Sequence, residues 1–102
     1  MTLKRGTRHN KKFKNEFALW QKNFGVVVRR LRKKAGLSRP ELASMAKFSV
    51  STLETIEQGH GNPGLTRMMN LAHALKHTLS YLFRLTEELN DKDKHGLGGQ
   101  QR

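Results

Sequence analysis

Apolar residues recur along this chain at three- and four-residue intervals, the spacing of helix faces turned toward a shared core. Phe17, Trp20, Phe24, Val27, Val28 and Leu31 make the first such series; Leu42, Ala43, Ala46, Val50, Leu53 and Ile56 make the second. Leu65, Met68, Met69, Leu71, Ala72 and Leu75 follow, then Leu79, Leu82, Phe83, Leu85 and Leu89. No stretch alternates with the two-residue period of a strand, and no segment repeats. The pattern predicts an all-α domain of five helices over residues 16–89. A basic, aperiodic flexible arm is expected over 1–15, and a charged, then Gly-rich, disordered tail over 90–102. The first series reads in two ways: one long helix to Ala35, or a short helix ending near Lys22 before a core helix from Phe24. Gly25 sits at the junction and costs about 1 kcal/mol relative to alanine inside a helix. Trp20 reads as an anchor on the core rather than a stacking platform for bases. The apolar surface of the fifth helix is wider than one core contact requires, which suggests a partner.

Ser38–Gly59 carries the densest set of boundary signals. Ser38 and Glu41 have the spacing of a capping box, in which each side chain satisfies the other residue's backbone N–H. Pro40 falls in the first turn, where its missing N–H costs nothing. Ser49 can cap the next helix, and Gly59 can end it. Two short helices, Arg39–Ala46 and Val50–Gln58, joined by a tight turn form a helix-turn-helix, whose second helix can enter the major groove of DNA. The loop Gly59–Gly64 matches G-x-G-x-x-G, yet a helix precedes it and Pro63 interrupts it. A dinucleotide fingerprint needs a strand and a βαβ unit, so it is read as a loop.

Charge sharpens this picture. The 102 residues hold 20 Lys+Arg against 8 Asp+Glu, a formal charge of +12 with an isoelectric point near 10.8. Such a balance points to a polyanion, with nucleic acid ahead of lipid. Lys4, Arg5, Arg8, Lys11, Lys12, Lys14 and Lys22 face only Glu16 within residues 1–23, whereas residues 86–102 are slightly acidic. The polyanion surface therefore belongs to the arm and the core. Cysteine is absent, which excludes thiolate metal sites and disulfides and fits a reducing cytoplasm. No apolar run approaches a membrane span or a signal peptide, so a cytoplasmic, nucleoid-associated protein without membrane attachment is expected. His73 and His77 are four residues apart on one helix face, but no third converging ligand accompanies them, so neither metal nor cofactor is expected. Hydrolase and metalloprotease signatures are also missing, and an enzyme is not expected.

These residues resemble the Cro/repressor-type helix-turn-helix family, also called the Xre type. The resemblance runs over Phe24–Phe83 through Val28-x-x-Leu31-Arg32, Gly36-Leu37-Ser38, Glu41-Leu42-Ala43, Ser49, Leu53, Ile56-Glu57-x-Gly59, Asn62-Pro63, Leu71-Ala72-x-Ala74-Leu75 and Leu79-x-x-Leu82-Phe83. It implies a compact five-helix, lambda-repressor-like DNA-binding domain, usually a dimer on an inverted repeat. It also implies a structural ion pair between Arg32 and Glu57, and groove-facing roles for Ser49, Val50, Ser51 and Thr55. Three positions depart from the family pattern. Arg39 stands where glutamine is common, and Lys47 and Lys76 stand where glycine is common. A lysine in the left-handed conformation is strained by roughly 1 kcal/mol or more, so a differently built turn is one alternative.

The reading face is poorly equipped. Bidentate base recognition uses arginine, lysine, asparagine or glutamine. Here Ser49, Val50, Ser51 and Thr55 are expected to touch base edges, while Glu54 either accepts from a cytosine amino group or points to solvent. Arg39 is a candidate for a guanine contact or, equally, for a phosphate. Arg29, Ser38, Lys47, Thr52 and Gln58 are expected at phosphates, with Lys33 and Lys34 nearby. Arg5 and Arg8 can enter a narrow minor groove or add charge without specificity. The expected function is a transcriptional regulator, a repressor binding operator double-stranded DNA as a homodimer. The alternative is the antitoxin of a toxin–antitoxin pair, whose protein partner would be the toxin.

Overall fold

The computed structural model describes the backbone of residues 2–100 and the side chains of residues 15–94. Five helices follow in order: α1 (Thr2–Lys34), α2 (Arg39–Ala46), α3 (Val50–Glu57), α4 (Leu65–Ala74) and α5 (Leu79–Gln100). The described residues contain no strand. α1 packs against α3 and α5, α2 against α3 and α4, and α4 against α5. Their shared core holds Phe24, Val27, Val28, Leu42, Ala43, Ala46, Leu53, Ile56, Leu71, Ala72, Leu75 and Leu82. The three- and four-residue spacing selects these positions, but it also selects Phe17, Val50, Leu65 and Met69, which are exposed rather than turned into the core.

α1 is one continuous helix through Gly25, and the reason for the glycine is tertiary. A Cβ at position 25 would collide with the carbonyl oxygen of Ile56 and lie 2.9 Å from that of Glu57. Gly25 therefore lets the backbone of α1 touch the carboxyl end of α3. Just beyond it, a Cβ on Gly59 would lie 2.9 Å from Lys22 Cα. The amide of Gln21 donates to the Gly61 carbonyl, tying the following loop to the same helix. The helical backbone of α1 takes in the stretch read as an arm; that arm's side chains, Arg5 and Arg8 among them, lie outside the described residues.

α5 runs past residue 89, where the domain edge is expected, and a buried polar contact holds it to α1 there. Asn90 is buried against α1 and accepts from Asn23 Nδ2 at 2.7 Å, and Asp93 accepts from the same amide at 3.1 Å. Lys22 adds an ion pair to Asp93 at 3.7 Å. Composition placed Asn90 with the charged tail because its partner is 67 residues away in sequence. The Gly-rich end expected to be disordered lies outside the residues with described side chains. Phe83 receives Trp20 edge-on at 5.8 Å and Phe24 at 6.1 Å, so Trp20 anchors α1 on α5. Phe17, Trp20, Phe24, Pro63, Met68 and Phe83 line an open apolar groove of about 780 Å³. Tyr81, Leu85 and Leu89 face Val27 and Leu31 across a second hollow of about 470 Å³.

Four helix ends share one stop. After α1, α2, α3 and α4 the chain enters the left-handed region at Gly36, Lys47, Gly59 and Lys76. In each case the next N–H bonds back to a carbonyl five residues earlier: Leu37 to Arg32, Phe48 to Ala43, His60 to Thr55, His77 to Ala72. This is the Schellman motif. Lys47, at φ 65°, and Lys76, at φ 63°, thus occupy the glycine-favoured geometry rather than avoiding it.

Candidate nucleic-acid interface

α2 begins on the capping box that Ser38 and Glu41 set up. Ser38 Oγ accepts from the Glu41 N–H at 3.1 Å, and Glu41 Oε1 accepts from the Ser38 N–H at 2.8 Å. That backbone N–H, and to a smaller degree the Ser38 hydroxyl, holds the Glu41 carboxyl below the usual glutamate range. The helix ends at Lys47, and Phe48 then turns into the core. Asn70 of α4 donates to the Ala46 carbonyl at 3.2 Å, fixing the turn from outside. The angle between α2 and α3 is therefore set by backbone bonds at the turn and by one side chain beneath it.

α3 starts with Ser49 Oγ accepting from the Thr52 N–H at 3.1 Å and pairing with Thr52 Oγ1 at 2.9 Å. Leu53, Ile56 and Glu57 face inward. Ser49, Val50, Ser51 and Glu54 are exposed on the other side, with Thr55 half-buried beside them. The four residues expected to touch bases thus share one outward surface. Thr55 Oγ1 donates to the Ser51 carbonyl at 3.0 Å, so three hydroxyls on this helix are already engaged within the protein. The Ser51 hydroxyl has no protein partner among the described residues.

Behind that surface lies a charge triad. Arg32 Nε donates to Glu57 Oε2 at 2.7 Å, its Nη2 to Oε1 at 3.2 Å, and its Nη1 to the Leu37 carbonyl at 2.8 Å. Both partners are buried, the side chains 7% and 2% exposed. Arg39 Nε then reaches Glu57 Oε1 at 3.0 Å. Sequence reasoning anticipates the first pair through the family resemblance but misses Arg39 as its third member. No local signal links residues 18 positions apart on different helices.

Lys47, Gln58, Arg29, Lys33 and Lys34 are all exposed, as is Ser38, whose hydroxyl is engaged in the cap. The sequence assigns no site role to His60, Asn62 or Arg67. They line a hollow of about 180 Å³ with Ser51, Thr52 and Thr55, which extends the polar surface of α3 across the loop to α4. The signal available was position alone, since Gly59 to Gly64 returns the chain to the same end of α3. Elsewhere, His77 stacks on Tyr81 at 4.6 Å, and no three of His, Cys, Asp and Glu converge among the described residues.

A family model described as a helix-turn-helix domain matches residues 23–78. Among solved structures, the restriction-modification controller protein C.AhdI from Aeromonas hydrophila is 32% identical, with a TM-score of 0.60 over 61% of this chain and 94% of that one. An HTH_3 family transcriptional regulator from Vibrio cholerae is 25% identical, with a TM-score of 0.65 over 72% of this chain and 41% of that one. The clp gene regulator ClgR from Corynebacterium glutamicum, at 20% identity and a TM-score of 0.64 over 68% and 90% of the two chains, shares the fold. No curated protein matches. The chain belongs to the helix-turn-helix domain family, and is a Cro/Xre-type DNA-binding transcriptional regulator.

Proposed function

We propose that this protein is a sequence-specific repressor that binds an inverted-repeat operator as a homodimer. The observation that carries the reading is the outward face of α3, where Ser49, Val50, Ser51 and Thr55 stand together over a buried scaffold. Ser51 supplies the unengaged hydroxyl for a base edge, and Val50, 36% exposed, offers apolar contact to a thymine methyl. Lys47, Thr52, Gln58, Arg29 and Ser38 position phosphates around it, and Arg5 and Arg8 reach along the duplex from the amino end. Because the reading face is short of bidentate side chains, much of the affinity is electrostatic. Two α3 helices in the dimer lie about 34 Å apart, so half-sites are separated by one helical turn.

Selection from a random DNA library, followed by titration at several salt concentrations, tests this. The expected result is an enriched palindrome and a slope of log K on log salt near −5 for about six neutralised phosphates per protomer. A flat salt dependence, or no enriched sequence, refutes sequence-specific binding. Removal of residues 1–14 separates the two roles of the arm: minor-groove reading weakens the selected site more than random DNA, whereas plain charge weakens both equally. The antitoxin reading draws support from the apolar groove of α1 and α5 around Trp20 and Phe83. Co-purification of a stoichiometric partner with a monomeric chain favours it over the homodimer.

A further inference from the structure

Glu57 needs only one arginine for neutrality, yet it holds two. Arg32 already engages both carboxylate oxygens and is itself buried. Arg39 adds a third bond from a side chain that is 39% exposed. That bond uses Nε alone, and Nη1 and Nη2 of Arg39 have no protein partner among the described residues. Arg39 opens α2, the helix that crosses the DNA backbone in this motif. Glu57 closes α3, about 10 Å along the helix axis from Val50 at the reading end. The tethered guanidinium thus stands where the amino end of α2 meets the carboxyl end of α3, about two helical turns from Val50.

We propose that Glu57 is a positioning residue for DNA binding: its Oε1 fixes Arg39 Nε and so aims the Nη1/Nη2 fork at a backbone phosphate. This rests on the DNA-binding reading and assigns the role that the sequence left open between base and phosphate. The fork matches two phosphate oxygens, which a lysine ammonium cannot do. A free surface arginine loses rotamer freedom when it grips a phosphate, whereas Arg39 has lost it before DNA arrives. The Glu57 charge serves two purposes: its pair with Arg32 holds α1 to α3, and its bond to Arg39 prepares the contact.

The test titrates the full-length protein against a labelled random-sequence duplex over a range of salt. Arg39→Gln lowers affinity about tenfold and makes the log–log slope shallower by about 0.9. Arg39→Lys keeps the charge and therefore the slope, but has no Nε to tether and still binds several-fold more weakly. Glu57→Asp draws the carboxylate away from Arg39 and reproduces the Arg39→Lys loss. In the Arg39→Gln background it causes no further loss, which simple destabilisation would not produce. Circular dichroism establishes that each variant is folded at the assay temperature; if Glu57→Asp is not, the two Arg39 variants decide. Wild-type affinity for Arg39→Lys, or an unchanged slope for Arg39→Gln, overturns the proposal. So does a change in selected base preference with Arg39→Gln while random-duplex affinity holds, because Arg39 would then read a base. If the wild-type protein binds no duplex at any salt, the DNA-binding reading itself fails.

Discussion

Replacing Gly25 with alanine sets helix propensity against tertiary packing, and the two predict opposite signs. Propensity favours the substitution by about 1 kcal/mol, because glycine is a poor residue inside a helix. Packing opposes it. The new methyl would meet the Ile56 carbonyl oxygen and stand 2.9 Å from the Glu57 carbonyl oxygen. Neither obstacle is a side chain that can rotate away; both are backbone at the end of α3. α1 and α3 must separate, loosening Phe24, Val28 and Ile56 and lengthening the Arg32–Glu57 bonds that span the same gap. Overpacking of this kind costs about 1–3 kcal/mol, and rigid obstacles place it toward the upper end. With the propensity gain subtracted, Gly25→Ala should destabilise by about 1–2 kcal/mol. For a domain of this size each kcal/mol moves the melting temperature by about 4–8 °C. Thermal and urea melts followed by circular dichroism measure it. A melting temperature equal to or above wild type would refute the packing argument and return Gly25 to the status of a tolerated helix-interior glycine.

Three further outcomes are expected. Arg32→Met removes two of the three bonds to Glu57 but leaves Arg39 as its partner. It should therefore cost about 2–3 kcal/mol, read from urea unfolding, short of the roughly 3–5 kcal/mol of an unpaired buried charge; a loss above that lower range would mean Arg39 does not compensate. Lys47→Gly and Lys76→Gly should each stabilise by about 0.5–1 kcal/mol, since relief of left-handed strain exceeds the added freedom of the unfolded chain. Only Lys47→Gly should also weaken DNA binding, so equal effects of both on affinity would remove Lys47 from the interface. Glu41 has a folded-state pKa below its ordinary value because of the Ser38 N–H. Its capping stability is therefore present above the ordinary glutamate range and is lost as pH falls through the lower folded value. Glu41→Gln retains a capping-box partner without the charge and should flatten the acid limb of the stability curve; an unchanged acid limb would contradict this.

What the sequence made legible is what is local. Caps at Ser38 and Ser49, the stop at Gly59 and the face shared by Leu42, Leu53 and Ile56 all depend on residues a few positions apart. The resemblance added the Arg32–Glu57 pair across 25 positions. Contacts between elements with no periodic signature stayed hidden. Gly25 looked like a weak helix breaker because the Ile56 carbonyl that requires it lies on another helix. Asn90 looked like tail because Asn23 is not a neighbour in sequence. Arg39 reads as a DNA contact alone because nothing local to α2 announces Glu57. The Ser49 cap is legible, but the bonds of Thr52 Oγ1 to Ser49 Oγ and of Thr55 Oγ1 to the Ser51 carbonyl depend on rotamers that the sequence does not announce.

The shared form of the four helix stops bears on how this domain can change over generations. Each stop is written in main-chain bonds and one left-handed residue, with no side chain required to end the helix. Position 47 can therefore drift from glycine to a cationic residue and keep its turn, at a strain of about 1 kcal/mol against a typical domain stability of 5–15 kcal/mol. Lys47, unlike Lys76, sits in the turn between α2 and α3. Variation at position 47 can in this way alter the charge of the α2–α3 turn without redesigning the scaffold, and the placement of α3 is inherited intact.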